Sequence, residues 1–208
     1  MRMKFSVSKT FLAASMALGL MGAQAQQGKL SGDAVKIGVF TDFSGVYSDY
    51  GGQGALVAAK MAVQDFGGKM FGKPIEVVSA DHQNKPDIAK SIALRWFDRD
   101  GVDISVENLN SSVALAVQAL GKEKSKITIT TGAATSRLTN EDCSPGTGIH
   151  YLMDTIALSK VVGKAIVKDG GDSWFFLTAD YAFGHSLEKD TGEVVKQSGG
   201  KVLGAVRH

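Results

Sequence analysis

The chain has few of the groups that most enzyme and metal sites need. Its single cysteine, Cys143, excludes an internal disulfide framework and a cysteine-based zinc site. It contains no P-loop, no HExxH helix and no serine in a G-x-S-x-G turn. The glycines at 51, 52 and 54 precede a predicted helix, but Val57 breaks the G-x-G-x-x-G spacing of a dinucleotide loop. We therefore predict no catalytic residue, no metal and no cofactor.

The chain also lacks a strong excess of either charge. It has 23 Lys and Arg against 21 Asp and Glu. Removal of the first 25 residues takes away three basic residues and leaves about as many basic as acidic groups. This balance gives no reason to expect a nucleic acid or an anionic membrane surface as a partner.

The apolar run at residues 11–21 is too short to span a bilayer. Three basic residues precede it, and the tripeptide Ala-Gln-Ala at 23–25 follows it as a small-x-small cleavage signal. We predict a signal peptide over residues 1–25, cleaved after Ala25, and an N-terminal tail over 26–33. The mature protein is then exported and is not inserted in the membrane after signal removal.

From residue 34 onward, strand and helix patterns alternate, which is typical of an α/β fold with a parallel sheet. The strands are predicted at 35–40, 74–80, 102–107, 127–131, 174–178 and 201–206, with a short extended piece at 150–152. The helices are predicted at 53–66, from 84–87 onward, and at 111–121, 156–168 and 183–197. The strand at 174–178 is apolar on both faces, as a buried parallel strand would be.

The alternation divides into two units. Residues 34–148 are predicted to form one lobe. Residues 149–208 contain about two strands, which is too few for an independent core. We expect this segment to be part of a second lobe of a longer protein.

Two loops of small polar residues are predicted to share one edge of the sheet. One precedes the helix at 111–121 and contains Asn110, Ser111 and Ser112, and the other covers residues 132–136. Ligands of open parallel sheets bind at the edge where the strands have their carboxyl ends. At a helix start, unpaired N–H groups and the helix dipole hold a carboxylate or phosphate without a cationic side chain. The alternative is that Asn110 or Ser111 only caps the helix.

A third loop follows the first strand at the same edge. The segment TDFSGVYSDYGG, residues 41–52, carries Tyr47 and Tyr50, whose rings can form the wall of a site for a small ligand. The alternative is a surface loop with tyrosines half packed on the helix below. His82 and His185 lie in other loops, and we interpret both as solvated rather than catalytic or metal-binding.

Several segments together resemble a known family. They are KIGVFTDFSGVYSDYGGQGALVAAKMAVQDFGG, the GAAT loop, and LTADYAFGHSLEKDTGEVVKQSGGKVLGAVRH, preceded by an export signal. This ordered set resembles the branched-chain amino-acid-binding (leucine-binding, type I) family of periplasmic solute-binding proteins of ABC importers. The resemblance covers essentially the whole mature chain. It implies the type I periplasmic-binding-protein fold, in which two Rossmann-like lobes close on a ligand.

The resemblance also implies a set of ligand contacts. The family's carboxylate site at the start of the third helix matches residues 110–112, and its A-A-T segment matches residues 133–135. Aromatic positions and the first crossover between lobes supply the remaining positions. The implied set is Tyr50, Asn110, Ser111, Ser112, Ala133, Thr135, Tyr151, Asp154 and Phe183, with Tyr181 close by.

The resemblance leaves the ligand open. Asn110 stands where the amino-acid binders usually have serine, and the acidic group that meets an amino acid's ammonium lies, in the family, beyond the position of His208. We therefore expect a small carboxylate-bearing solute, either an amino acid or an aromatic or other organic acid, delivered to an ABC permease from the periplasm. A ligand-sensing receptor subunit with the same cleft is one alternative, and a secreted α/β enzyme is an alternative of a different class.

Overall fold

The computed structural model describes residues 32–208, so the predicted signal peptide and most of the predicted tail lie outside the described residues. The strands are β1 (Val35–Thr41), β2 (Lys69–Met70), β3 (Lys73–Asp81), β4 (Ile104–Glu107), β5 (Ile127–Thr130), β6 (Gly148–His150), β7 (Ser173–Thr178) and β8 (Lys201–Arg207). The helices are α1 (Gly52–Asp65), α2 (Pro86–Arg95), α3 (Ser111–Lys124), α4 (Thr155–Lys168) and α5 (Ala182–Gln197). A π-helical turn, Trp96–Asp100, extends α2, and a 3₁₀ turn, Ser136–Leu138, follows β5.

The strands form two sheets. The larger has the order β2-β3-β1-β4-β5-β6, and all of its pairs are parallel except the short antiparallel pair β2–β3. The smaller is the parallel pair β7–β8. The predicted α/β fold with parallel sheets is thus confirmed, and the carboxyl ends of β1, β4, β5 and β6 lie along one edge.

The main core lies between the larger sheet and helices α2 and α3. Phe40 of β1 packs on Trp96, with ring centroids 4.9 Å apart, and both residues are buried. Gly38 makes room for this indole, because a Cβ at position 38 would lie 2.5 Å from a ring carbon of Trp96. Val113 and Val117 of α3 belong to the same buried cluster. The core fixes the larger sheet, and with it the loops at its edge.

The smaller sheet is not buried on both faces, contrary to the expectation for residues 174–178. Phe176 and Val202 lie beside Gly192 of α5, so this helix covers one face. Phe175 and Leu177 point to the other face and are 63% and 73% exposed. The strand is apolar on both faces, as predicted, but the part of the chain that the structure describes covers only one face of this sheet.

The interpretation of His82 as a solvated histidine is wrong. Its ring is fully buried and stands edge-on to Phe40, with ring centroids 5.7 Å apart. Its Nδ1 accepts a hydrogen bond from the Asn84 N–H at 3.0 Å. Burial lowers the pKa of His82 to about 4, against the opposing effect of the Asp42 and Asp81 charges. A turn directly after β3 is close enough to the core for its histidine to pack inside. His185, by contrast, is exposed and lies beside Asp180.

Candidate functional site

A cavity of about 390 Å³ lies at the carboxyl edge of the larger sheet. Its walls come from the loops after β1, β4, β5 and β6 and from the start of α5. The lining residues are Tyr47, Tyr50, Leu109, Ser111, Gly132, Ala133, Ala134, Leu152, Met153, Leu158, Tyr181 and Phe183. None of these twelve residues has an acidic or basic side chain, and most are apolar or aromatic. Such a cavity suits a small ligand with an apolar body.

The start of α3 supplies hydrogen-bond donors to this cavity. The Asn110 side chain caps the helix, because its Oδ1 accepts hydrogen bonds from the N–H groups of Ser112 at 2.8 Å and Val113 at 3.2 Å. The Asn110 side chain therefore caps the helix, as the alternative interpretation expected. Ser111 lines the cavity, and its N–H has no hydrogen-bond partner within residues 32–208. Ser112 instead reaches α5, where its Oγ accepts from the Ala182 N–H at 3.2 Å.

The loop after β5 supplies two more donors. Ala133 and Ala134 line the cavity, and neither backbone N–H has a partner among the described residues. Their carbonyl groups are engaged, since the Ala133 oxygen lies 2.7 Å from His150 Nε2 and the Ala134 oxygen accepts from the Thr155 N–H at 2.9 Å. The loop is therefore anchored through its carbonyls while its N–H groups stay available.

Thr135, the third residue of the A-A-T segment, is fully buried and does not line the cavity. Its Oγ1 lies 2.7 Å from Ser186 Oγ of α5, and its N–H donates to Ser111 Oγ at 3.3 Å. Thr135 thus joins the two polar loops to each other and to the smaller sheet's helix.

Glycine is required at position 132 because two side chains fill the space beside it. A Cβ there would lie 2.8 Å from Glu107 Oε1 and 3.0 Å from the Leu109 Cα. Burial raises the pKa of the Glu107 carboxyl, while a hydrogen bond from Thr131 acts against this rise. Glu107 and Asn108 have φ values of 76° and 48°, a left-handed turn that brings the chain from β4 to Leu109 at the cavity wall.

Aromatic side chains form the remaining wall. The hydroxyl oxygens of Tyr47 and Tyr181 are 2.6 Å apart, and the rings of Tyr181 and Phe183 have centroids 6.1 Å apart. Burial, and to a smaller extent the hydrogen bond with Tyr47, raises the pKa of the Tyr181 hydroxyl. Asp42 holds the loop that carries Tyr47, since its carboxylate accepts from the N–H groups of Gly45 at 2.7 Å and Tyr47 at 2.9 Å.

The structure brings Tyr50, Ser111, Ala133 and Phe183 of the expected set into the cavity wall. Tyr151 is 80% exposed and is not among the lining residues. Asp154 caps α4 by accepting from the Ala157 N–H at 2.8 Å. Sequence reasoning missed Leu158, in the first turn of α4, and the apolar residues Leu152 and Met153, although these two follow β6 closely at the same sheet edge. Their position at a strand's carboxyl end was the signal that could have identified them.

Over residues 32–208, no three or more His, Cys, Asp or Glu side chains are grouped so that they could hold a metal ion. In the same range, no helix has both the length and the hydropathy that crossing a membrane requires.

Comparisons with known proteins agree with this architecture. The periplasmic binding protein family matches residues 34–208. A periplasmic binding protein from Burkholderia mallei is 60% identical, with a TM-score of 0.82, over 85% of this chain and 47% of its own. A branched chain amino acid ABC transporter periplasmic ligand-binding protein from Burkholderia xenovorans LB400 is 40% identical, with a TM-score of 0.70, over 84% of this chain and 46% of its own.

A third solved structure was determined with a ligand. It is a solute-binding protein of an ABC transporter from Rhodopseudomonas palustris BisB5, in complex with 3,4-dihydroxybenzoic acid. It is 26% identical, with a TM-score of 0.74, over 85% of this chain and 47% of its own. No curated protein matches the chain. The chain spans about half the length of these solved structures. The family match over residues 34–208 and the 60% identity confirm the resemblance seen in the sequence, and the chain belongs to the periplasmic binding protein family.

Proposed function

We propose that the protein is the exported substrate-binding component of an ABC importer. It captures a small carboxylate-bearing solute in the cavity between the two sheets' loops and delivers it to the permease in the periplasm. Family membership and the relatives from ABC transporters support this role. The signal peptide at residues 1–25 and its cleavage after Ala25 are part of the same proposal.

The observation that carries the proposal is the set of three unpartnered backbone N–H groups, at Ser111, Ala133 and Ala134, in a cavity without charged side chains. N–H groups without a protein partner can donate to a ligand that enters the cavity, and hydrogen bonds to an ionised acceptor are the strong ones. A ligand carboxylate that accepts these hydrogen bonds also meets the positive end of the α3 dipole. The cavity therefore favours an anionic group at its polar end.

We further propose that the ligand is an aromatic carboxylic acid rather than an amino acid. The lining residues include three tyrosines and Phe183, which suit a flat apolar ring. The relative that binds 3,4-dihydroxybenzoic acid supports this choice, while the branched-chain amino acid relative makes leucine the rival ligand.

Direct contacts in this proposal come from Ser111, Ala133, Tyr50 and Phe183, together with Ala134 and Tyr47. The other expected residues contact protein groups around the cavity and do not contact the ligand. Asn110 caps α3, and Ser112 and Thr135 bind α5. Tyr151 and Asp154 belong to the segment that leads from β6 to α4. Bonds across the cleft favour the closed form, and a ligand that touches both sides shifts the population towards it.

Isothermal titration calorimetry with four probes tests the proposal. Benzoate and 4-hydroxybenzoate should bind in the micromolar range, and benzamide, which has the same ring without the charge, should bind at least about tenfold more weakly. Leucine should bind more weakly than benzoate. Tighter binding of leucine would overturn the choice of an aromatic acid, and equal binding of benzamide and benzoate would overturn the carboxylate site.

A further inference from the structure

A buried carboxylate on α5 is not among the residues that line the cavity and is not explained by the proposed ligand contacts. Asp190 is 8% exposed, and its Oδ2 accepts hydrogen bonds from Ser136 Oγ at 3.0 Å and Thr155 Oγ1 at 2.6 Å. Thr155 Oγ1 in turn accepts from the Ser136 N–H at 3.1 Å. The three residues come from α5, from the loop after β5 and from the start of α4, and their hydrogen bonds form a closed ring.

The negative charge of Asp190 is held by hydroxyl groups. Within residues 32–208, no ion pair includes this carboxylate, and the neighbouring Lys189 pairs with Glu141 instead. A buried charge that has no cationic partner needs hydrogen-bond donors to stabilise it. Hydrogen bonds to an ionised acceptor are stronger than those between neutral groups. Because both hydroxyl protons point to Asp190, the oxygen of Thr155 keeps a lone pair for the Ser136 N–H. The carboxylate therefore sets the direction of every bond in the ring.

A second residue on the same face of α5 binds Thr135, the residue before Ser136 in the loop. Ser186 lies one helical turn before Asp190, and its Oγ is 2.7 Å from Thr135 Oγ1. Thr155 contacts the loop a second time, through its N–H to the Ala134 carbonyl at 2.9 Å. Residues 134–136 are thus fixed at every position by α5 and α4, directly beside the N–H groups of Ala133 and Ala134.

We propose that Asp190 is a positioning residue for ligand binding. It orients the Ala133 and Ala134 N–H donors through Ser136 and Thr155, without touching the ligand, and it links the polar end of the cavity to the helix of the smaller sheet. The effect on affinity rests on the proposed function, whereas the effect on the loop does not.

Two variants of Asp190 and one control test the inference. Asp190→Ala removes the acceptor of both hydroxyl groups, and Asp190→Asn restores an oxygen acceptor without the charge. Ser159→Ala is the matched control, because Ser159 Oγ and Thr191 Oγ1 form a buried 2.8 Å hydrogen bond between α4 and α5 that does not involve the loop. Amide hydrogen exchange of residues 132–136 and the Kd for benzoate are measured for each protein.

In Asp190→Ala, exchange at Thr135 and Ser136 should be at least about tenfold faster, and benzoate should bind roughly tenfold to a hundredfold more weakly. Asp190→Asn should recover most of both losses, and Ser159→Ala should change neither by more than about threefold. If Asp190→Ala and Ser159→Ala give the same exchange in the loop, Asp190 is an ordinary packing residue and the inference is wrong. If the wild-type protein does not bind benzoate, the proposed function fails, and the exchange measurement still decides the role of Asp190.

Discussion

The Tyr47 and Tyr181 hydroxyl oxygens lie 2.6 Å apart and join the loop after β1 to the loop after β7. Both rings line the cavity, so this hydrogen bond spans the opening between the two parts of the fold. Similar bonds run from Thr135 to Ser186 and from the Ala182 N–H to Ser112. Three pairs of polar groups therefore join the two sides of the cavity.

The Tyr47–Tyr181 bond should contribute to affinity as a pair. Tyr47→Phe and Tyr181→Phe each remove one hydroxyl and should weaken benzoate binding about threefold to tenfold, the usual value of one net hydrogen bond. The double variant should lose little more than either single variant, since both remove the same bond. Titration calorimetry of the three proteins measures this coupling. Additive losses would show that the two hydroxyls act independently.

Ser111 should matter more for the ligand than its neighbour. Ser111→Ala keeps the backbone N–H but removes a hydroxyl that accepts from the Thr135 N–H and whose own proton can donate to the carboxylate. It should reduce benzoate affinity about tenfold to a hundredfold, because a hydrogen bond to a charged group contributes about 1.5–3 kcal/mol. Ser112→Ala removes a hydroxyl that accepts from the Ala182 N–H, so it should have a smaller effect. Equal losses of affinity in the two variants would contradict a direct contact from Ser111.

Two substitutions of Asn110 separate its effect as a helix cap from the effect of charge at the proposed carboxylate site. Asn110→Ala loses the bonds to the N–H groups of Ser112 and Val113 and should cost about 1 kcal/mol in the free energy of unfolding. Asn110→Asp keeps the cap but places a negative charge beside the proposed carboxylate site. This second variant should retain stability, measured by urea denaturation, yet bind benzoate at least about tenfold more weakly. Tighter binding in Asn110→Asp would argue for a cationic group at this end of the ligand.

His82 should make stability depend on pH. Its folded-state pKa is about 4 and its unfolded value is 6.5, so the unfolded chain binds a proton first as the pH falls. Stability is unaffected above pH 6.5 and falls by about 1.4 kcal/mol per pH unit from there towards pH 4. Between pH 7 and 4.5, wild type should therefore lose about 2–3 kcal/mol more than His82→Asn, whose amide oxygen can replace Nδ1 as acceptor for Asn84.

Urea unfolding of wild type and His82→Asn at several pH values between 7 and 4.5 measures this difference. A His82→Asn profile that also matches wild type would show that this ring is protonated in the folded protein.

Two glycines should respond in opposite directions to alanine. At Gly184, in the first turn of α5, a Cβ would lie 2.1 Å from the Ala179 carbonyl oxygen. Because that atom belongs to the backbone, Gly184→Ala should destabilise the fold by about 1–3 kcal/mol and weaken binding through its neighbour Phe183. At Gly54, in α1, a Cβ would have no atom within 4 Å, so Gly54→Ala should stabilise by about 0.5–1 kcal/mol. Urea denaturation of both variants tests the loop geometry around the cavity.

Most of the fold could be predicted from the sequence because its signals are local. The alternation of apolar strands and amphipathic helices placed the five helices and the longer strands close to their observed positions, whereas the two-residue strand β2 was not predicted. Loop residues at the carboxyl ends of parallel strands gave the edge where the cavity lies. The start of α3 was found in the same way, from its cap and its neighbouring serines.

Side-chain destinations were harder to predict, because they depend on contacts between distant segments. Nothing local distinguishes the buried His82 from the exposed His185, and only the packing of Phe40 separates them. The hydrogen bonds of Asp190 join residues 35 and 54 positions apart, and no periodicity reports such pairs. Leu152 and Met153 were not predicted, because the expected contacts were polar or aromatic loop residues and did not include the apolar wall that a ligand ring needs.

A nuclear magnetic resonance titration shows whether the three backbone N–H groups bind the ligand carboxylate. Benzoate is added to the ¹⁵N-labelled protein, and the backbone amide signals are followed by residue. We expect the largest shifts at Ser111, Ala133 and Ala134, and benzamide should not reproduce them. Saturable benzoate shifts that leave these three amides unchanged would contradict this expectation.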